Sequence, residues 1–166
     1  MALNASTNLP YSAHVVAELF SSREFVEHVS TKAGGTLTDF TVSGPVGAAF
    51  TATIERAIPT DRLPDLVRKF AGGTLSVTQR EAWSAPDADG GRTIDIAVSV
   101  AGAPVDVKAV QRLVALGDST IVEVTGEVTS GIPFLGGKIA AAAEPFLGKA
   151  LNLQADQAQA WLDRRS

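Results

Sequence analysis

The amino-acid sequence predicts an α+β fold in which antiparallel strands form one curved sheet and a long C-terminal helix lies across it. Apolar residues recur at every second position in several segments between Leu3 and Val128, which is the period of strands. Glycine and proline turns separate these segments. From Lys138 to Asp163 the spacing changes to three or four residues, which is typical of one helix face over roughly 39 Å.

The composition favours a single globular domain over residues 1–166. Of the 166 residues, 45% are hydrophobic and 19% are charged, and the net charge is −4. The chain has no basic stripe, which argues against a nucleic-acid partner. It contains no cysteine, so disulfides and thiol catalysis are excluded. Without signal-peptide features or an apolar run of about 20 residues, we expect a cytoplasmic protein without stable membrane insertion. The sequence does not determine the oligomeric state.

The first half of the chain alternates strands with short helices. Proline, glycine and capping serines mark where each element begins and ends. We predict a strand at Leu3–Leu9, helices at Ser12–Phe20 and from Ser22 to Gly34, strands at Thr36–Ser43 and Ala48–Ile58, and a short helix from Thr60 through Phe70.

The second half predicts four consecutive strands, at Thr74–Trp83, Arg92–Val100, Val105–Leu116 and Ser119–Val128. If Gly102-Ala103 and Gly117-Asp118 form two-residue hairpin turns, the register of the last three strands follows. Ile94 then faces Gln111, and two opposite-charge pairs, Arg112 with Glu123 and Lys108 with Glu127, lie together on the outer face. With its long final helix, this element order (β-α-α-β-β-α-β-β-β-β-α, about seven strands) predicts the helix-grip arrangement.

Several residues carry a resemblance to a known superfamily. They are Ile58-Pro59, Trp83, Gly126-Glu127-Val128, the run from Pro133 to Ile139 (Pro-Phe-Leu-Gly-Gly-Lys-Ile), and Trp161-Leu162. With them the chain resembles the START, polyketide-cyclase and birch-pollen-allergen superfamily (SRPBCC), and within it a bacterial START-like family of unknown function. The resemblance covers nearly the whole chain and implies an internal cavity for apolar ligands. None of these residues forms a catalytic motif.

Polar residues interrupt the inner face of the predicted sheet. The alternation places Glu81 between Phe50 and Ile94, with Gln79 one step along between Ala52 and Ile96, while Gln111 lies beyond Ile94. An unpaired buried polar group costs about 1–3 kcal/mol, so a solid core would not collect three of them. A cavity holding water or a polar ligand head would satisfy them. The alternative is that a bulge turns these side chains outward. Arg56 has the same phase, and we expect it to reach solvent at its strand end.

Binding of a hydrophobic, lipid-like or aromatic small molecule is the leading functional hypothesis. Its predicted walls are Phe50, Ile54, Val77, Ile96, Val98, Val124 and Phe146, and its polar contacts are Gln79, Glu81 and Gln111. One alternative is a cyclase- or dehydratase-type enzyme in which apolar neighbours raise the pKa of Glu81. Another is a structural or partner-binding protein with a filled core. Glu81→Gln is expected to weaken binding and preserve the fold, and Glu81→Leu to stabilise the empty protein.

No metal or cofactor site is predicted. His14 and His28 are the only histidines, and they lie on separate helices. The stretch Asp87–Gly90 resembles the start of a calcium loop, but Val98 occupies the position that needs glutamate. Two double-glycine segments follow helices rather than precede them, so they are helix ends. Gly136-Gly137 precedes a helix, and an anion there is conceivable, but a close turn over the rim of the sheet is the preferred interpretation.

Two residues of the final helix carry predictions about its shape and packing. Pro145 removes a helical hydrogen bond, so a bend is expected there. Trp161 is expected to anchor the last turns on the first strand or on the short N-terminal helices.

Overall fold

The computed structural model describes residues 2–62, 65–69, 73–101, 105–132 and 134–165. Its strands are β1 (Ala2–Leu9), β2 (Thr36–Ser43), β3 (Phe50–Pro59), β4 (Thr74–Trp83), β5 (Arg92–Ala101), β6 (Asp106–Leu116) and β7 (Ser119–Thr129). Its helices are α1 (Ala13–Phe20), α2 (Arg23–Lys32), α3 (Asp65–Arg68) and α4 (Gly136–Arg165), with a 3₁₀ turn at Thr60–Arg62.

The seven strands form one sheet in the order β1-β7-β6-β5-β4-β3-β2, and every neighbouring pair is antiparallel. The predicted α+β class and its helix-grip arrangement are confirmed. Helix α4 packs on β1 and β7 and also contacts α2. With 30 residues it is about 45 Å long, which exceeds the predicted length. It continues through Pro145 without interruption, and a bend at that residue stays a prediction. No helix in the described part of the chain is both long and apolar enough to cross a membrane.

The pairing of β5, β6 and β7 agrees with the predicted register, whereas the pairing around β4 differs by two residues. Ile94 faces Gln111, and Arg112 faces Glu123. Glu81, however, lies between Ala52 and Ile96 rather than between Phe50 and Ile94. Gln79 correspondingly lies between Ile54 and Val98. The tight hairpin at Gly117-Asp118 fixes the register of β6 and β7, while the turn predicted at Gly102-Ala103 lies outside the described residues. The longer connections at both ends of β4 do not fix a register. Because a slip of two residues preserves the alternation, each side chain keeps its predicted face.

Among the described residues, the buried apolar side chains form two separate clusters. The larger one joins α1, α2 and the end of α4 to the sheet, and includes Phe25, Phe50, Trp83 and Leu162. The smaller one packs the beginning of α4, at Ile139 and Ala140, against β6 and β7. Within the described part of the chain, these two clusters do not merge into one.

The end of α4 is held by side chains from the N-terminal helical region. The Trp161 ring meets the Phe25 ring edge-on at 5.8 Å and lies 5.2 Å from the ring of His28, both on α2. The Tyr11 hydroxyl donates a hydrogen bond to Asp163. These contacts confirm that Trp161 anchors the helix on the short N-terminal helices.

The turn into α4 requires glycine at one position. A Cβ atom on Gly136 would lie 2.5 Å from the carbonyl oxygen of Ser130, which no real side chain tolerates. Nothing lies within 4 Å of the corresponding position on Gly137. Gly136 thus allows the close turn at the rim of the sheet that the sequence predicts.

Candidate functional site

One transverse row of residues on the inner face consists mostly of small side chains. From β3 to β7, it contains Ala52, Glu81, Ile96, Ala109 and Gly126, each paired with the next. Three of these five residues have a methyl side chain or none. We call this set the Glu81 row. Within it, Glu81 lies between the short side chain of Ala52 and the larger one of Ile96.

Glu81 is buried and hydrogen-bonded through both carboxyl oxygens. The residue is only 6% exposed. Its Oε1 accepts from the indole Nε1 of Trp83 at 3.0 Å, and its Oε2 accepts from Nε2 of Gln79 at 2.6 Å. The side chain points inward, as predicted from its phase in β4. It is not an unpaired polar group, because two neighbours on the same strand donate to it.

The hydrogen-bond chain continues from Gln79 to α2. Nη1 of Arg56 donates to Oε1 of Gln79 at 3.0 Å, and Nε of Arg56 donates to Oγ of Ser30 at 2.7 Å. Ser30 in turn donates to the carbonyl oxygen of Val26 at 2.7 Å. The expectation that Arg56 reaches solvent is therefore wrong. Helix α2 supplies an interior acceptor that a reading of β3 alone does not reveal.

Burial shifts the pKa of both charged groups in this hydrogen-bond chain, Glu81 and Arg56. Removal from water raises the pKa of Glu81, and hydrogen bonds from Trp83 and Gln79, together with the charge of Arg56, partly oppose this effect. Burial also lowers the pKa of Arg56, while the charge of Glu81 acts in the opposite direction. Glu81 therefore accepts a proton more readily than an exposed glutamate, which is the predicted direction.

Gln111 is buried but belongs to a different contact. It is 2% exposed, and its Nε2 donates to Oε1 of Gln154 on α4 at 3.0 Å. Its neighbours across the sheet are Ile94 and Val124. This hydrogen bond joins the sheet directly to the long helix beside the Glu81 row.

The predicted apolar wall residues divide into two groups. Phe50, Ile54 and Val124 are buried, and Phe50 also stacks on Trp83 with 4.9 Å between ring centroids. Val77, Ile96 and Val98 are only half-buried, although they face inward. Ile96 pairs with Glu81, and Val98 pairs with Gln79. Partly accessible apolar surface therefore lies next to the hydrogen-bond chain of Glu81, Gln79 and Arg56. The side chain of Phe146 lies outside the described residues.

Sequence reasoning missed four participants: Ser30, Arg56, Trp83 and Gln154. Trp83 carried a usable signal, because it lies two residues after Glu81 on the same face of one strand and has an N–H donor. Arg56 also had the correct phase. Ser30 and Gln154 lie on helices whose orientation toward the sheet depends on tertiary packing, so the strand pattern contains no signal for them.

The histidines lie apart from this site. His14 is 80% exposed at its side chain and pairs with Glu18 on α1 at 3.2 Å. Nε2 of His28 lies 2.7 Å from Oε1 of Gln157 on α4. Within the described part of the chain, no group of three histidine or carboxylate side chains could hold a metal ion.

An open groove of about 790 Å³ follows the Glu81 row across the sheet. Its lining contains the five residues of this row together with the outward-facing residues on either side of it, such as Thr51, Arg80, Asp95 and Lys108. The outward-facing side chains among them are mostly exposed.

The chain shares its helix-grip fold with several solved structures. The Zhui aromatase/cyclase from Streptomyces sp. R1128 matches with a TM-score of 0.67 at 10% identity, over 99% of this chain and 94% of that one. A START superfamily protein from Mycobacterium smegmatis matches with a TM-score of 0.58 at 13% identity, over 99% of both chains. Norcoclaurine synthase from Thalictrum flavum gives 0.55 at 14% identity, over 100% of this chain and 96% of that one. At these identities the likeness concerns the fold.

Residues 4–162 match the family described as "Protein of unknown function (DUF2505)". The chain belongs to this family, which agrees with the resemblance seen in the sequence. A search of curated protein sequences finds no match.

Proposed function

We propose that the protein binds a hydrophobic, lipid-like or aromatic small molecule between the inner face of the sheet and α4. The observation that supports this function is the half-buried surface of Val77, Ile96 and Val98 beside the half-buried amide of Gln79 and the buried carboxyl of Glu81. Apolar surface with a few convergent polar groups is the usual composition of a small-molecule site.

The proposed site combines walls with polar contacts. The walls are Phe50, Ile54, Val77, Ile96, Val98, Val124 and Phe146, and the polar contacts are Gln79, Glu81 and Gln111. In this proposal residues 1–166 act as one domain, located in the cytoplasm. Because Gln111 already bonds to Gln154, it contributes to the ligand site where the sheet meets α4.

The first experiment is native mass spectrometry of the purified protein, followed by titration with N-phenyl-1-naphthylamine, an uncharged fluorescent apolar probe. We expect a retained small molecule, or saturable probe binding after its removal. Val98→Phe, which adds a ring on the inner face, should abolish probe binding and leave the fold intact. Ala97→Phe, on the exposed outer face of the same strand, is the matched control and should bind as the wild type does.

A filled core gives the opposite result. In that case the wild type binds neither a retained molecule nor the probe. Val98→Phe then destabilises the protein by the roughly 1–3 kcal/mol typical of overpacking. This outcome would favour the structural or partner-binding alternative.

A cyclase- or dehydratase-type enzyme is the second candidate, and the raised pKa of Glu81 supports it. Two of the matched structures are an aromatase/cyclase and a synthase by name. Glu81 would serve as general acid or base, because the described residues contain no serine–histidine pair in hydrogen-bond contact. The test incubates the ligand found by mass spectrometry with wild type and Glu81→Gln. Turnover lost in the variant while binding persists would indicate an enzyme, and an unchanged ligand would indicate a binding protein.

A further inference from the structure

We propose that Arg56 is an oxyanion-binding residue of the inner site and that the ligand carries a carboxylate next to its apolar body. This inference rests on the proposed binding function and names the chemical class of the ligand.

Two neutral acceptors hold the guanidinium of Arg56 in place. Its Nε donates to Ser30, and its Nη1 donates to Gln79. Ser30 is 1% exposed and uses its own proton on the carbonyl oxygen of Val26, so its oxygen is left as an acceptor for Arg56. The plane of the guanidinium is thus fixed before any ligand arrives, which lowers the entropic cost of binding a planar group.

The positive charge of Arg56 has no direct counter-ion among the described residues. The described ion pairs are His14 with Glu18 and Arg68 with Asp65. Glu81 is the acidic group that influences Arg56, and the amide of Gln79 stands between them. A guanidinium remains protonated in proteins, so this half-buried cation persists in the folded state. An enclosed charge without an opposite partner is unfavourable, and an anionic ligand group would relieve that cost.

One edge of the guanidinium is available to a ligand. The second terminal nitrogen, Nη2, makes no hydrogen bond with the described part of the protein. It carries two N–H donors. Carboxylates accept charge-assisted hydrogen bonds from arginine in this planar geometry. The apolar body of such a ligand would extend from Arg56 along Val77, the next inward residue across the strand pair.

Arg92 shows how a purely structural arginine is satisfied in the same molecule. Its Nη1 donates to the carbonyl oxygens of Ala48 and Ser84, and its Nη2 donates to that of Val46 at 2.5 Å. Its guanidinium also lies 5.7 Å from the ring centroids of Phe50 and Trp83. Both terminal nitrogens are therefore used to tie two loops together. Arg56 instead bonds to the side chains of Ser30 and Gln79, and its Nη2 has no hydrogen bond within the described part of the protein.

The experiment compares dodecanoic acid with 1-dodecanol, which have the same chain length and differ in the head group. Each displaces N-phenyl-1-naphthylamine from the wild type, Arg56→Met, Arg56→Lys and the control Arg80→Met. Arg80 is exposed on the outer face of β4, so the control removes one positive charge away from the site. We expect the wild type and Arg80→Met to prefer the acid by about ten- to a hundredfold, the effect of one charge-assisted hydrogen bond. In Arg56→Met this ratio should fall to about one with alcohol binding retained, and Arg56→Lys should be intermediate.

Each other outcome contradicts a specific statement. Equal binding of acid and alcohol by the wild type overturns the inference and leaves the proposed binding function standing; this comparison needs no variant to fold. An acid preference that survives in Arg56→Met, with the variant's thermal unfolding intact, also overturns it. Failure of the wild type to bind either compound or the probe overturns the proposed function itself.

Discussion

Burial and hydrogen bonding act in opposite directions on Glu81. Enclosure beneath the sheet raises the pKa of its carboxyl, while donors from Trp83 and Gln79 favour the ionised form. Both donors are themselves constrained. The indole N–H can only donate, and Gln79 must direct its oxygen to Arg56, so its NH₂ group faces Glu81. The direction of every hydrogen bond in this series is therefore determined by its two end residues, Arg56 and Trp83, which can only donate.

Substituting Glu81 should destabilise the protein. Glu81→Gln places an NH₂ group against that of Gln79 and should cost about 1–3 kcal/mol. Glu81→Leu leaves both donors without an acceptor and should cost more. This reverses the sequence-based expectation that leucine stabilises the empty protein, because that expectation assumed an unpaired carboxyl. Urea unfolding measures both values, and exposed Glu127→Leu, the control, should stay within about 0.5 kcal/mol. A leucine variant more stable than the wild type would contradict the pairing.

Glu81 should also make stability depend on pH in a defined direction. Because its pKa is raised by folding, the folded state binds the proton more tightly than the unfolded state. The stabilisation that proton binding at Glu81 gives to the folded state is complete below the ordinary pKa near 4.5. It is lost as pH rises through the raised pKa of the folded state. The unfolding free energy of wild type minus that of Glu81→Gln should therefore fall with rising pH, by at most about 1.4 kcal/mol per pH unit. A difference that is constant or rises across this window would show that folding does not raise the pKa.

At the scale of elements, the described side chains of α4 pack on the rest of the protein near both ends of the helix. Ile139 and Ala140 pack near its beginning, while Trp161 and Leu162 pack near its end. Gln154 and Gln157 hydrogen-bond to the sheet and to α2. The helix is therefore held both by apolar contacts and by side-chain hydrogen bonds.

Truncating Trp161 should test the attachment at the end of α4. Since Trp161 is half-buried, Trp161→Ala should cost about 2–4 kcal/mol, at or below the range for a buried aromatic residue. Its Nε1 is buried and has no hydrogen-bond partner among the described residues, so Trp161→Phe keeps the ring contact with Phe25 and should change stability by less than about 1 kcal/mol. Thermal unfolding distinguishes the two variants. An unchanged melting curve for Trp161→Ala would mean that the last turns are not anchored.

The pair formed by Arg112 on β6 and Glu123 on β7 tests the energetic value of the register. The two residues face each other, but they are not among the described ion pairs. We therefore expect a double-mutant cycle to give a coupling at the low end of the range for exposed pairs, about 0.2–0.5 kcal/mol. Single and double charge reversals, measured by urea unfolding, supply the cycle. A coupling above about 1 kcal/mol would require a direct ion pair in solution.

At the scale of the whole molecule, the neighbouring strands β6 and β7 leave no space for a side chain at Gly126. A Cβ atom on Gly126 would lie 2.6 Å from the carbonyl oxygen of Lys108 and 2.7 Å from the Cβ of Ala109. These are backbone and methyl atoms, which cannot move aside as the end of a flexible side chain can. Glycine at this point of the Glu81 row therefore permits the local shape of the sheet.

Gly126→Ala should destabilise the protein by about 1–3 kcal/mol through overpacking. Gly148, inside α4, is the matched control, because no described atom beyond the helix's own backbone lies within 4 Å of its added Cβ. Gly148→Ala should stabilise by about 0.4–1 kcal/mol, since alanine restricts the unfolded chain and favours the helix. Urea unfolding of both variants gives the comparison. Equal effects of the two substitutions would show that strands β6 and β7 do not approach this closely.

The sequence by itself determined the fold class, the order of the strands and the inward direction of the polar strand residues. These properties depend on short-range physics: the alternation of apolar residues, the capping of helices by Ser12, and the two-residue hairpin at Gly117-Asp118. For the same reason it placed Glu81, Gln79 and Gln111 on the inner face. It predicted one helix from Thr60 through Phe70, whereas the described residues there form a 3₁₀ turn at Thr60–Arg62 and the four-residue helix α3 at Asp65–Arg68. Where a long connection separated two strands, as on both sides of β4, the alternation of apolar residues did not distinguish registers that differ by two residues.

Only the tertiary structure decided what these inward groups touch. The partner of Gln111 is Gln154, 43 positions further along the chain, and the partner of Arg56 is Ser30, 26 positions before it. Helix faces and strand faces meet according to packing over the whole molecule, and periodicity within one element contains no information about that meeting. The sequence therefore identified Glu81 as a buried carboxyl, but only the packing of α2 and α4 showed that it ends a satisfied hydrogen-bond chain.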